Sequence, residues 1–231
     1  MSCILNIETA TNVCSVAVSN NGSILFKKEN TTGPSHAALL GVFVAQALES
    51  VRENKLKLDA VAVSCGPGSY TGLRIGVSEA KGLCYGLGIP LIAVKSLEVM
   101  AKKILETSSD INDTTLLCPM IDARRMEVYA AVYDKKLNVV RDTAADIVDG
   151  NSYHEYLKDH KVLFFGNGAD KCKDTLLNSN AIFIEGIYPS AVFMTALSEQ
   201  AFEKGDFVDV AYFEPFYLKD FVATVPKKNI L

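Results

Sequence analysis

The stretch SCGPGSYTGLRIGV, residues 64–77, decides how this chain is read. It follows an apolar run, LDAVAVSC (58–65), and precedes a long segment of helical composition. A strand, a glycine turn and a helix start, in that order, present backbone N–H groups on which an anion can dock. Gly66, Gly68 and Gly72 allow positive φ and close backbone approach, and Ser69 or Thr71 can cap the helix. The turn has no Gly-Lys-Ser/Thr ending, so it is not a Walker loop. The helix, expected over Thr71–Leu87, also carries Gly76, Gly82 and Gly86, with Ala80 in register with Gly72 and Gly76. Each internal glycine costs about 1 kcal/mol of helix propensity relative to alanine. Small residues four apart let another helix come close, so the spacing predicts helix-on-helix contact as well as a ligand turn.

Upstream, CILNIE and CSVAVS read as strands joined by TATNV, and NNG at 20–22 is a hairpin turn before SILFKKEN. A helix follows over roughly Ala37–Arg52. Leu40, Phe43, Ala47, Leu48 and Val51 form its core stripe, and Leu39, Val42 and Gln46 make an adjoining row that one core contact does not need. Downstream come the strand PLIAV and a helix over Ser96–Glu106. The order βββαβαβα is that of one actin-like lobe. The polar break ETSSDINDTT (106–115) is the linker, dividing an N-terminal lobe, 1–106, from a smaller C-terminal lobe, 107–231. The second lobe reads as LLCPMIDA, the hairpin MEVYAAVYDKKLNVVR, a helix opened by a capping box at 152–155, the strand KVLFFG, a helix over 169–177, the strand AIFIEG and a helix over Pro189–Lys204. There is no repeat at a solenoid period.

The composition narrows the function. With 49% hydrophobic and 22% charged residues, the chain has the make-up of a soluble protein with a substantial core. No apolar run reaches the roughly 18 residues that span a bilayer, and MSCILNIETA shows no secretory signal. Six scattered cysteines without CxxC spacing read as reduced, buried thiols of a cytoplasmic protein. A formal net charge of −4 makes the chain a poor stand-alone nucleic-acid binder. The only basic concentration is the tail VPKKNIL, read as a solvated end.

Several motifs have two readings. In IETATNVCSVAV, an acid ending a strand before a hydroxyl-rich turn is how actin-like ATPases approach metal-bound water and phosphate. Here the acid is Glu8, and Thr9 and Thr11 are the phosphate-facing candidates, unless they merely close a hairpin. IDARRMEVY sets Asp122, Arg124, Arg125 and Glu127 near a strand end. The favoured reading is an Asp–Arg ion pair fixing the hairpin; Arg124 on phosphate or RNA is the alternative. GNGA (166–169) sits where an adenosine could lie but is read as a strand-to-helix turn. His36, His154 and His160 form no four-spaced pair.

ILNIETATNVCSVAV, SCGPGSYTGLRIGVSEAKGL, PLIAVKSLEVMA, IDARRMEVYAAVY and EPFYLKD together, in that order, resemble the bacterial TsaB (YeaZ) family, once labelled glycoprotease-like. The resemblance runs nearly end to end. It implies a two-lobed α/β fold of the acetate and sugar kinase/heat-shock/actin superfamily and a part in making threonylcarbamoyladenosine in tRNA, beside the anticodon. It implies a noncatalytic scaffold for the transferase TsaD, alongside the small ATPase TsaE, with a homodimer when alone and tRNA reached mainly through the complex. TsaD-like proteins carry two metal-binding histidines on the helix after the strand that PLIAV resembles; aligned on that strand, those positions are Ser96 and Met100, so no metal is expected. Thr9, Thr11, Gly66 and Gly68 then become vestigial phosphate-loop residues, with no cofactor beyond weak nucleotide binding. Leu39, Val42, Phe43, Gln46, Arg74, Val77 and Ser78 become the partner face. The rivals are an active actin-like ATPase or phosphotransferase and a metallopeptidase.

Overall fold

The strands β1 (Cys3–Glu8) and β2 (Cys14–Asn20) bury nearly every side chain, so their sheet needs cover on both faces. The computed structural model, which describes residues 2–33 and 36–219, supplies that cover. The first sheet has the order β3–β2–β1–β4–β5, with β3 (Ser23–Asn30), β4 (Ala60–Gly66) and β5 (Leu91–Lys95). Its first three strands are antiparallel, and β1, β4 and β5 run parallel. On one face lie α1 (His36–Glu53) and α2 (Tyr70–Leu87), packed through Leu40, Phe43, Val44, Ala47, Val77 and Ala80.

The second sheet repeats the first. Its order is β10–β9–β6–β7–β8, with β6 (Thr115–Asp122), β7 (Glu127–Tyr133), β8 (Val139–Ile147), β9 (Lys161–Phe165) and β10 (Ala181–Ile184). Three antiparallel strands again precede two parallel ones. Two helices tie the sheets together. On leaving the first sheet, α3 (Ser96–Thr107) buries Leu97, Met100, Ala101 and Ile104 against Leu117, Ile121, Tyr133 and Phe165 of the second. On leaving the second, α5 (Ala191–Lys204) buries Ala191 and Met194 against Ile4, Ala17, Ala62 and Ile92 of the first. The chain passes from one sheet to the other close to the 106/107 division, but it then returns. Beyond α5, the Val208 N–H donates to Leu91 O at 2.9 Å, so residues 191–208 lie against the first sheet.

The second lobe is thinner than the periodicity predicts. The helix expected over 169–177 is a 3-10 turn, Asp170–Cys172, and α4 (His154–Leu157) is a single turn. No capping box forms, because the Ser152 hydroxyl bonds Asp149. Leu157, Cys172 and Leu176 fill that face of the sheet, so longer helices have nothing further to cover. The loop residues Pro34 and Ser35 and the tail VPKKNIL lie outside the described residues. Among the described residues no helix is long and apolar enough to cross a membrane.

The glycines of α2 correct a sequence expectation. A Cβ at Gly72 would lie 2.2 Å from Thr9 O, and one at Gly76 would lie 2.2 Å from Thr9 Oγ1. These glycines face inward and seat the helix on the β1–β2 turn, not on another helix. Gly82 and Gly86 meet nothing. Gly76→Ala should therefore lose roughly 1–3 kcal/mol by overpacking, whereas the exposed Gly82→Ala should gain up to about 1 kcal/mol from helix propensity. Denaturant melts of the two variants beside the parent check both signs; a neutral Gly76→Ala overturns the packing assignment.

Candidate functional site

The glycine turn and the β1–β2 turn are docked backbone to backbone. The Ser69 N–H donates to Ala10 O at 2.7 Å, and a Cβ at Gly68 would sit 2.3 Å from that same oxygen. Ser69 Oγ accepts from Gly72 N–H at 3.2 Å and caps α2. On the other side, Phe216 N–H donates to Cys65 O at 2.7 Å, and a Cβ at Gly66 would meet Phe216 O at 2.8 Å. The Ser69 and Gly72 N–H groups, which an anion could otherwise use, are thus bonded within the protein itself. Glu8 is fully buried, with Oε1 accepting the Ala10 N–H at 2.6 Å and Oε2 without a partner. Burial pushes its carboxyl up to about 7, against the backbone and Ser64 hydrogen bonds that favour the anion. Thr9 is equally buried, its hydroxyl turned to Gly76.

Between the lobes lies a cleft of about 700 Å³. Its first wall is the Ala10–Asn12 turn with Pro67–Thr71, and its second is Ile121–Arg125 with Glu127, Tyr129 and Asn167. Residues 216–219 close one side. Of the phosphate-loop candidates, Thr11 and Gly68 line this space, whereas Glu8, Thr9 and Gly66 are sealed behind it. In GNGA only Asn167 reaches the cleft, its Oδ1 accepting the Asp122 N–H at 3.2 Å. The neighbouring glycines serve packing, since a Cβ at Gly166 would lie 2.3 Å from Met120 O and one at Gly168 2.8 Å from the Ile121 carbonyl carbon.

The expected Asp–Arg ion pair is not formed. Asp122 pairs with Lys171 and accepts the Arg124 backbone N–H at 3.1 Å, and Glu127 pairs with Lys219. These lysines lie far along the chain, out of reach of a local motif. Arg124 and Arg125 stand in left-handed backbone, φ 70° and 49°, exposed and without an ion pair among the described residues. A metal-bound nucleotide does not fit this donor set: Glu8 is sealed, and among the described residues both carboxylates lining the cleft are held by lysines.

The remaining candidates divide by burial. Ser96 and Met100, the aligned metal positions, are fully buried. Among the described residues no three His, Cys, Asp or Glu side chains cluster in a way that could hold a metal. All six thiols are free, and burial pushes Cys3, Cys14 and Cys84 to about 11 and Cys65 to about 12, far from a reactive thiolate. On the proposed partner face, Val42 is 52% exposed, Gln46, Arg74 and Ser78 are exposed, and Leu39 is half-buried. Phe43 and Val77 instead turn into the first-lobe core, where they pack against the sheet. The sequence reading also missed a strap along α2. Lys81 Nζ donates to Ala211 O and Phe213 O at 3.1 and 3.0 Å, and the Tyr70 and Tyr217 rings lie 4.8 Å apart. Such long-range backbone contacts leave no periodic signal.

Comparison with known proteins supplies the family. The family model for TsaD, tRNA N6-adenosine threonylcarbamoyltransferase, matches residues 30–226. The tRNA threonylcarbamoyladenosine biosynthesis protein TsaB of Escherichia coli K12 is 32% identical over 227 residues, covering 95% of this chain and 96% of that protein. The chain belongs to the TsaB family. TsaB of Bacillus subtilis is 32% identical over 167 residues, or 71% of this chain and 70% of its own length. A Pseudomonas aeruginosa structure, described as similar to peptidase YEAZ, superposes with a TM-score of 0.80 at 24% identity, covering 95% of this chain and all of that one. The architecture is the two-lobed actin-like α/β fold of TsaB.

The sealed acid makes a measurable prediction. Glu8 is raised from 4.5 to about 7 in the fold, so its contribution to stability is complete below pH 4.5 and is lost as pH rises through 7. The shift corresponds to roughly 3 kcal/mol. Glu8→Gln removes this titration. Its stability relative to the parent should rise by about that amount between pH 4.5 and 8 in chemical denaturation; a constant difference overturns the assignment.

Proposed function

We propose that this chain is the noncatalytic subunit of tRNA threonylcarbamoyladenosine formation, the scaffold that a TsaD-type transferase requires in the cytoplasm. The observation that carries the reading is the donor set of the cleft. In a chain that matches TsaB end to end, the acid of the superfamily is closed off behind the Ala10 turn, and Asp122 and Glu127 are bound to lysines. Among the described residues this leaves the cleft without an unpaired carboxylate to activate a nucleophile or to hold a metal on phosphate. The working surface is then a protein face. Val42, Gln46, Arg74 and Ser78, with the edge of Leu39, lie on the outside of α1 and α2, which pack side by side. Two such helices meeting two from another chain make a four-helix contact, for which a second copy of this chain and the TsaD-type partner compete. TsaE joins the assembled pair.

Transfer should need both chains, with none from this chain alone. The decisive variant is Val42→Asp. An unpaired aspartate in a desolvated helix contact costs about 3 kcal/mol or more, which is roughly a hundredfold in affinity. Both the homodimer, read by sedimentation, and the TsaD complex, read by pull-down, should weaken with an unchanged melting temperature. A variant that melts normally and still forms both associations removes this face from the proposal.

A further inference from the structure

The two arginines lining the cleft, Arg124 and Arg125, are exposed and form no ion pair among the described residues. Their turn is held by other groups: Ala123 N–H donates to Glu127 O at 3.0 Å, Glu127 N–H to Arg124 O at 3.1 Å, and Arg124 N–H to Asp122 Oδ1. The guanidinium groups take no part in those bonds. The nearby acids are already neutralised by Lys171 and Lys219. Among the described residues, the charged side chains lining the cleft therefore balance to one positive charge, and Lys171 paired with Asp122 adds another, on a chain whose formal net charge is −4. This is a local cationic spot on an acidic protein. Tyr129 lies on the same wall, Tyr217 lines one side with its ring 4.8 Å from that of Tyr70, and Thr11, Asn12, Ser69 and Thr71 supply polar groups on the wall opposite.

We infer that this cleft binds RNA, with Arg124 and Arg125 on consecutive phosphodiesters and an unstacked nucleotide received against the tyrosines. Guanidinium groups suit phosphate oxygens by their planar fork of donors, and aromatic faces stack bases without regard to sequence. A strand is favoured over a free nucleoside polyphosphate. The Ser69 N–H of the glycine turn is already bonded to Ala10 O, and among the described residues the carboxylates lining the cleft, Asp122 and Glu127, are paired with lysines and not free to share a metal with a polyphosphate. The inference rests on the tRNA-modification reading for its choice of RNA. It places the RNA on this chain itself and away from the α1–α2 face.

The test uses the full chain, alone and assembled with its TsaD-type partner, and follows a labelled single-stranded RNA and unmodified tRNA by fluorescence anisotropy over a salt series. Arg124→Ala/Arg125→Ala should weaken RNA binding about tenfold or more near physiological salt. It should also flatten the dependence of log affinity on log salt by about 1.4, as expected for two lost single-strand phosphate contacts. Melting temperature and partner pull-down should be unchanged. An unchanged affinity and salt slope, or no RNA binding by the parent in either form, overturns the inference while leaving the scaffold reading standing. ATP binding that depends on the arginines, without RNA binding, overturns it in favour of a nucleotide site. Failure of the Val42→Asp experiment with RNA binding intact overturns the partner face alone.

Discussion

The close approach of α2 to the β1–β2 turn governs the first lobe and, through it, the cleft. Gly72 and Gly76 present no side chain to Thr9, so the helix settles directly onto the turn, and the Ser69 N–H closes on Ala10 O. Each consequence is physical. The turn is locked, the Glu8 carboxyl is left in a dry site where its proton is held to about 7, and the Ala10, Ser69 and Gly72 N–H groups are already bonded.

The same device occurs twice. Each sheet has three antiparallel strands followed by two parallel ones, and each central parallel strand, β4 or β9, ends in a glycine turn. Gly66 and Gly166 both have strongly positive φ, 110° and 105°, and Gly68 and Gly168 both press on the neighbouring hairpin turn. The cleft thus lies between corresponding turns of two corresponding lobes. What differs is the side chains: Thr11 and Asn12 on one side, Arg124 and Arg125 on the other. Backbone geometry makes the space, and side-chain charge decides what it can hold. The crossing of α3 and α5 keeps the walls in register, because each helix buries its apolar stripe in the sheet that did not precede it.

Two electrostatic arrangements set the character of the cleft. Lys171 and Lys219 come from separate parts of the chain to occupy Asp122 and Glu127. As exposed or half-exposed pairs they add little to stability. Their effect is on the balance of charge: they withdraw the carboxylates that could quench the arginines or carry a metal. The strap from Asp209 to Lys219 supplies one of these lysines as well as the Phe216 cover on Gly66, so a single segment closes the glycine turn and discharges the opposite wall.

Local pattern was enough for the strands of the first lobe, for α1, α2, α3 and α5, and for the family, because continuous apolar runs, 3.6-residue stripes and glycine turns are properties of short windows. It also singled out the outer row of α1, where Val42 and Gln46 stay exposed. It misassigned the α2 glycines, because spacing reports that a close neighbour exists without naming it; the neighbour is the Thr9 backbone. It overextended the second-lobe helices, because their length depends on how much sheet remains to be covered. It paired Asp122 with the nearest arginine, because sequence distance stood in for space. Tertiary structure alone decided which lysine neutralised which acid, that Glu8 is shut off from the cleft, and that Arg124 and Arg125 form no ion pair among the described residues. Charge pairing and burial are set by residues that folding brings together from far apart, and no window of the chain contains both members of such a pair.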